Sequence, residues 1–299
     1  MKSISVLIPA YNCETSLARC LDSLVYQSYI DFEIVIVNDG STDRTFEIAK
    51  GYEEEFPGLI RVISRENGGV GQARNTALEY ARGDVLFFID ADDTLEVDAL
   101  EIMMREFDNK EVDCVCVGHD LVSSSMNIKN HVLTKRVLNG EEAMKLLLKD
   151  WQLRNYCWGK CFKKELFEGM FFEGRCFEDV RLVHQVMMRA NKIVILPEIL
   201  YHYTVDQTTS LTSKMGAKKL AEWMEACVDQ ALNIVKIYPI LSKDAANMIR
   251  KNGMICIGRI LMDFSSDKKE KSESMKRINE SIRFSKTLKN IKGRLNTAD

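Results

Sequence analysis

Short apolar runs alternate with helical stripes through the first hundred residues, and nothing else in the chain constrains its fold as much. Ile4 to Ile8 is an apolar run closed by Pro9, which has no N–H to give a ladder, so a buried strand must stop there. Leu17, Leu21, Leu24 and Val25 then recur at the spacing of an amphipathic helix. Glu33 to Val37 reads as a second buried strand. The turn and capping residues Asn38, Asp39, Gly40, Ser41 and Asp43 separate it from a helix carrying Phe46, Ile48 and Ala49. Leu59 to Ile63, a helix from about Val70 to Ala81, and Val85 to Ile89 continue the alternation. Strands and helices in this order imply an α/β fold, with a mostly parallel central sheet joined by right-handed crossovers and flanked by helices.

Further along, Asp113 to Gly118 is a strand candidate, Asn139 is the expected N-cap of a helix to Leu148, and Glu178 to Ala190 carries another helical pattern. The run Lys192 to Leu196, then Pro197, then a short aromatic strand Ile199 to Tyr203 are expected to end the sheet. From about Met215 to Phe264 the pattern is helical, and from Asp267 it turns rich in Lys, Ser and Arg. The expected division is therefore 1–210, followed by a helical C-terminal extension over 211–299. With 41 Lys+Arg against 44 Asp+Glu there is no chain-wide basic field, and nucleic acid is excluded as the expected partner. The nine cysteines show no paired CxxC spacing, so they predict buried thiols rather than a caged metal. Cys114 and Cys116 would share one face of a strand as packing. The N-terminal apolar stretch is too short for a signal peptide or a spanning helix, which predicts a cytoplasmic chain.

In open α/β sheets ligands sit outside the carboxyl ends of the strands. Pro9, Tyr11 and Asn12 follow the first strand, Asn38, Asp39, Gly40, Ser41 and Asp43 the second, and Asp90, Asp92 and Asp93 the strand ending at Ile89. Capping accounts for Ser41 and Asp43, but not for three carboxylates after so apolar a run. Two carboxylates one residue apart can hold a hard divalent ion, Mg²⁺ or Mn²⁺, and leave positions open for a diphosphate. Gly68, Gly69 and Gly71 allow close backbone approach to a ligand, and Arg74 on the next helix offers a guanidinium to phosphate or base. A dinucleotide fingerprint is excluded because Pro-Ala-Tyr-Asn follows the first strand and Arg74 stands where the third glycine would fall.

The segments Ser5 to Asn12, Val37 to Thr45, Glu66 to Leu78, Gly83 to Asp93 and Phe177 to Leu182, in this order, resemble family two of the glycosyltransferases, of the GT-A (Rossmann-like) fold. The resemblance covers about residues 3 to 210 and makes 1–95 the nucleotide-sugar half and 96–210 the acceptor half. It implies that Pro9, Tyr11 and Asn12 line the nucleotide with Tyr11 against the base, and that Asp39 accepts a hydrogen bond from the base. Arg74 would reach the nucleotide or its phosphates. Asp90 and Asp92 match the DXD carboxylates, Asp92 holding the metal and Asp90 meeting the ribose or the ion's water shell, while Asp93 has no assigned role. Glu178 and Asp179 match the ED pair, with Asp179 as general base and Glu178 supporting it. Trp158 and Lys160 would border the acceptor side, and His202 would approach the metal or diphosphate.

The implied activity is inverting transfer of a hexosyl or N-acetylhexosaminyl group from a UDP-sugar, with Mn²⁺ or Mg²⁺, to a glycan or lipid-linked saccharide in capsule or other surface-polysaccharide synthesis. Three rivals stand: a sugar nucleotidyltransferase would release pyrophosphate from UTP and a sugar phosphate, and a non-catalytic nucleotide-sugar binding protein would show no turnover. A glycoside hydrolase would cleave glycans without any nucleotide. Residues 268–299 carry ten Lys or Arg against four acidic residues, with Ile278, Ile282, Leu288, Ile291 and Leu295 as a partial apolar stripe. Two readings stand for this tail: a solvated segment, or a basic helix giving peripheral contact with anionic lipid on the inner face of the membrane.

Overall fold

The computed structural model describes residues 3–123, 127–130, 134–150, 152–174, 176–205, 215–263 and 265–289. Strands β1 (Ile4–Ala10), β2 (Phe32–Asp39), β3 (Ile60–Arg65) and β4 (Val85–Phe88) pair in parallel in the order β3-β2-β1-β4. Their connections are α1 (Leu17–Val25), α2 (Thr45–Glu55) and α3 (Val70–Tyr80). Both faces of these strands are covered, which explains why they read as unbroken apolar runs. On one face Val6, Ile8, Ile34, Ile36 and Phe87 pack with Leu17, Leu21 and Leu24 of α1. The alternate residues Leu7, Val35 and Val37 point to the other face, where α3 packs on β1 and β2.

The sheet then continues with elements that only partly follow the sequence pattern. β9 (Lys160–Lys163) runs antiparallel between β4 and β6 (Cys114–Val122), and β10 (Ile193–Thr204) lies parallel to β6. β5 (Thr94–Leu95) and β8 (Arg136–Leu138) pair with β10, and β7 (Asn127–Asn130) pairs with β6. Of the ten strands, β1 to β4, β6 and β10 run one way, so the described sheet is mostly parallel in direction. The segment read as a strand, a proline and a second strand is the single strand β10, with register shifts between Ile195 and Tyr201. Pro197 is tolerated because it falls at that irregularity, between the stretches paired to β8 and to β5. Cys114 and Cys116 share one buried side of β6, their sulfurs 3.8 Å apart, as the strand periodicity predicts.

The chain divides into two compact units. The first, residues 1–140, 156–175 and 189–206, holds the sheet and α1 to α4 (Ala99–Glu106). The second, residues 141–155, 176–188 and 207–299, holds most of α5 (Gly140–Lys149), α6 (Glu178–Met188), α7 (Ala217–Ile237), α8 (Ser242–Met262) and α9 (Lys268–Lys289). Within it, Leu220, Met224, Ile234, Ile249, Cys256 and Ile260 form buried faces of α7 and α8. Ile278 and Leu288, two of the apolar positions foreseen as a lipid-facing stripe, are fully buried in the packing of α9 against α7 and α8. Gly253 permits that approach, because a Cβ there would collide with Ile282. Ile291 and Leu295 lie outside the described residues, as does the expected boundary at 210–211.

Candidate active site

β1, β2, β3 and β4 are parallel, so their carboxyl ends share one edge, and the order β3-β2-β1-β4 places a switch of winding direction between β1 and β4. The turn after β1 and the Asp90–Asp93 turn after β4 therefore leave the sheet side by side. Asn12 adopts a left-handed conformation (φ 48°), which an Asn tolerates, and its Oδ1 accepts a hydrogen bond from the Thr42 amide at 2.8 Å. Its own amide donates to Ser41 Oγ at 3.1 Å. Asp43 Oδ2 accepts from the Glu14 amide and Oδ1 from the Thr45 amide, while Glu14 Oε2 accepts from the Arg44 amide. The loops after β1 and β2 are thus laced to each other, leaving Tyr11 51% exposed beside them. Burial works to raise the Asp43 pKa, but the bonds from Thr45 and Glu14 outweigh it and hold the carboxyl below its ordinary value.

Asp39 is buried at the end of β2. Its carboxylate accepts hydrogen bonds from the amides of Gly68 (3.0 Å) and Gly69 (2.7 Å) and pairs with Arg65 Nε at 3.1 Å. The two glycines suit this turn for different reasons. Gly69 has φ 89°, which L side chains rarely adopt, and a Cβ on Gly68 would strike the Arg65 guanidinium. Arg74, one turn into α3, is buried with its guanidinium over the Phe172 ring and Nη2 2.9 Å from Asp90 Oδ1. Asp92 points outward and is exposed, while Asp93 is wholly buried.

Sequence reasoning missed the groups that hold this turn. Tyr201 of β10 donates its hydroxyl to Asp93 Oδ2 and accepts the Asp90 amide at 3.3 Å. The Thr204 amide donates to Asp93 Oδ1 at 2.7 Å, and Arg19 Nη2 of α1 donates to the Asp92 carbonyl at 2.7 Å and to Thr204 Oγ1 at 3.0 Å. Burial, reinforced by the charges of Asp90 and Asp92, pushes the Asp93 carboxyl well above the usual carboxylate range.

Trp158 is buried in an aromatic stack, 4.5 Å from Tyr156 and 4.6 Å from Tyr201 between ring centroids. Lys160 is buried too, its Nζ donating to the Tyr156 carbonyl. His202 stands on β10 with Nδ1 2.7 Å from Asp120 Oδ1 and Nε2 3.1 Å from Glu96 Oε1, so carboxylates meet both ring nitrogens. A separate cavity of about 620 Å³ opens at the Asp84 end of β4, among Asn75, Lys163, Phe167 and Phe171, and no sequence-predicted site residue lines it.

Glu178 and Asp179 belong to the second unit, where they open α6. Phe177, immediately before them, is left-handed (φ 60°), an uncommon state for a bulky residue that turns the chain into the helix. Glu178 is buried, and Asp179 Oδ1 accepts the Val180 amide at 2.8 Å. His184, one turn on, is fully buried between the Val180 carbonyl and Asn233 Nδ2 of α7, and burial lowers its pKa to about 4.

Among the described residues no three His, Cys, Asp or Glu side chains gather as a cation cage. The donors that do face outward at this edge are hard carboxylate oxygens, Asp92 first and Asp90 beside it. That set fits a divalent ion that completes its shell from phosphates, and it does not fit a soft or fully protein-bound metal.

A parallel sheet wound 3-2-1-4, with acidic and glycine-rich turns at the carboxyl ends of its strands, is an α/β architecture of the GT-A type. The chain belongs to glycosyl transferase family 2, whose model matches residues 5–171. It is 33% identical over 237 residues to glycosyltransferase GlyA of Streptococcus pneumoniae serotype 4, a match covering 76% of this chain and 33% of GlyA. The chain thus spans about a third of the length of that relative. The same fold is seen in S. aureus TarS 1-349 in complex with UDP-GlcNAc, with a TM-score of 0.77 and 19% identity over 96% of this chain and 83% of that one. It is seen again in the mannosyltransferase PcManGT of Pyrobaculum calidifontis in complex with GDP-Man and Mn²⁺, with a TM-score of 0.58 and 16% identity over 97% and 88%. Among the described residues no helix is long and apolar enough to cross a membrane.

Proposed function

We propose that the protein is an inverting glycosyltransferase that moves a hexosyl or N-acetylhexosaminyl group from a UDP-sugar to a hydroxyl of a glycan or lipid-linked saccharide in surface-polysaccharide synthesis. The observation that carries this reading is the pairing of family membership with outward carboxylates at the strand ends beside the β1–β4 switch. A UDP-sugar is favoured by the TarS complex, and a divalent cation by the PcManGT complex, each a property of that neighbour.

In this reading Tyr11 stacks on the base and Pro9 and Asn12 border it. Asp39, held by the amides of Gly68 and Gly69, would accept a hydrogen bond from the base. Asp92 would hold the cation. Asp90, already paired with Arg74, would meet the ribose or a water of the ion's shell, and Arg74 would keep it oriented. His202 would have to exchange Glu96 for the ion to take part. When bound, the cation supplies neutralisation of the diphosphate leaving group. Asp179 is the proposed base: its carboxylate takes the proton of the acceptor hydroxyl as that oxygen attacks the anomeric carbon from the side opposite the diphosphate, and Glu178 supports it. Trp158 and Lys160 act from within the aromatic layer on the acceptor side. The protein would work on the cytoplasmic side of the membrane, with α9 and the chain beyond it supplying any contact with anionic lipid.

The deciding experiment incubates the protein with a panel of UDP- and GDP-sugars, Mn²⁺, and saccharide or lipid-linked acceptors, and identifies the product by mass and anomeric configuration. A product of inverted configuration made only from a UDP-sugar supports the reading. Pyrophosphate release from UTP and a sugar phosphate, or binding without turnover across the panel, overturns it.

A further inference from the structure

We propose that Tyr201 and Asp93 are positioning residues that hold the Asp90–Asp92 turn in the shape in which its carboxylates take up a divalent cation together with a nucleoside diphosphate. This rests on the cation reading above but concerns residues outside the acidic pair. Asp93 is wholly buried, a costly place for a carboxyl unless every oxygen is satisfied. Its two oxygens are met by the Thr204 amide and the Tyr201 hydroxyl, both from β10. The same hydroxyl accepts the Asp90 amide at 3.3 Å, and the Asp93 amide donates to the Asp90 carbonyl at 3.1 Å. One phenol oxygen therefore ties the first residue of the turn to the last, while an internal bond closes the loop.

Tyr201 is itself immobilised. Its ring is fully buried, stacked at 14° on Trp158 with centroids 4.6 Å apart, and tilted against Phe87 at 6.5 Å. A phenol held this way cannot swing out to water, so its oxygen is a fixed point. Between the two tied ends only Asp92 projects outward, its carbonyl strapped from the solvent side by Arg19. Without the phenol oxygen, the Asp90 amide and one Asp93 oxygen each lose a partner in a dry site. The turn is then expected to relax toward water, and its carboxylates with it, while the base-facing residues of the β1 loop keep all their hydrogen bonds.

The test is Tyr201→Phe, which removes one oxygen and keeps the stacked ring, with Asp93→Asn as the second variant. The readout is Mn²⁺ binding in the presence of UDP, followed by electron paramagnetic resonance, together with UDP affinity in chelator and thermal stability. Each variant should weaken Mn²⁺ binding by roughly 5- to 30-fold, the worth of one or two buried hydrogen bonds, while metal-free UDP affinity stays within about twofold. Ile34→Ala, which destabilises the same core without touching the turn, should bind Mn²⁺ like the wild type. If Tyr201→Phe and Asp93→Asn melt earlier yet bind Mn²⁺ with wild-type affinity, or if Ile34→Ala weakens binding equally, the pair is merely structural and the proposal is wrong. If one variant does not fold, the other decides. Absence of Mn²⁺ binding by the wild-type protein would instead sink the cation reading, and this proposal with it.

Discussion

Arg74 and Asp90 form an ion pair, Nη2 to Oδ1 at 2.9 Å, with the arginine side chain only 5% exposed and the aspartate 29%. A carboxylate already held by a fixed guanidinium is a poor first ligand for a dication, because the two cations would compete for the same oxygens. On the proposed function Asp92, the exposed carboxylate of the same turn, is expected to lead. We expect Asp92→Ala to abolish metal-dependent UDP binding and Arg74→Lys only to weaken it, since lysine keeps the charge and loses the planar fork. Calorimetric titration of UDP with Mn²⁺ checks this. Undiminished binding by Asp92→Ala would refute the assignment.

Asp179 and Glu178 are consecutive on α6, so their side chains leave the helix about 100° apart and cannot address one acceptor oxygen equally. Glu178 is the buried one. We expect Asp179→Asn to cut turnover roughly 10²- to 10⁴-fold with donor affinity nearly unchanged, and Glu178→Gln to cost far less turnover. Steady-state kinetics at saturating acceptor separates the two outcomes. A loss expressed wholly as weaker donor binding would remove Asp179 from the chemistry.

The buried His184 makes stability fall with acidification. Its folded pKa is lowered to about 4 from the ordinary 6.5, so between those values the unfolded chain binds a proton that the folded chain refuses. Stability therefore rises with pH through this window. It is lost as pH falls from about 6.5 to about 4, by up to about 3 kcal/mol in order of magnitude. Thermal melts at pH 7 and pH 5 should differ less in His184→Gln than in the wild type, and equal differences would contradict the account.

Ile278 sits fully buried on α9, where a lipid-facing stripe would have needed it exposed. We expect Ile278→Asp to lower the melting temperature, because a charge is placed in a packed face. Binding to anionic vesicles should persist to whatever extent the basic residues of α9 supply it. Vesicle sedimentation at low and high salt, beside a melt, distinguishes these effects. A variant that melts like the wild type would show the face is not load-carrying in packing.

Local pattern was enough to specify the parallel β1 to β4 core, because four apolar runs and three helical stripes in alternation admit one kind of winding. It also specified which residues lie at the carboxyl edge of that core, since Pro9 to Asn12, Asp39 and Asp90 to Asp93 follow those runs directly. β9 was not legible, being four residues, Lys160–Lys163, too short to show a period. Tyr201 and Arg19 were illegible for another reason. Tyr201 reads only as a strand aromatic and Arg19 only as the wet face of a helix, and their partners lie 108 and 73 positions away along the chain. The same limit applies to the membership of α6 in the helical unit and to the burial of the α9 stripe. Periodicity is a local property, set by the geometry of one element. The pairing of a buried hydroxyl with a carboxylate, or of one apolar face with another, exists only once distant segments have packed and water has been expelled, so no local reading of the chain contains it.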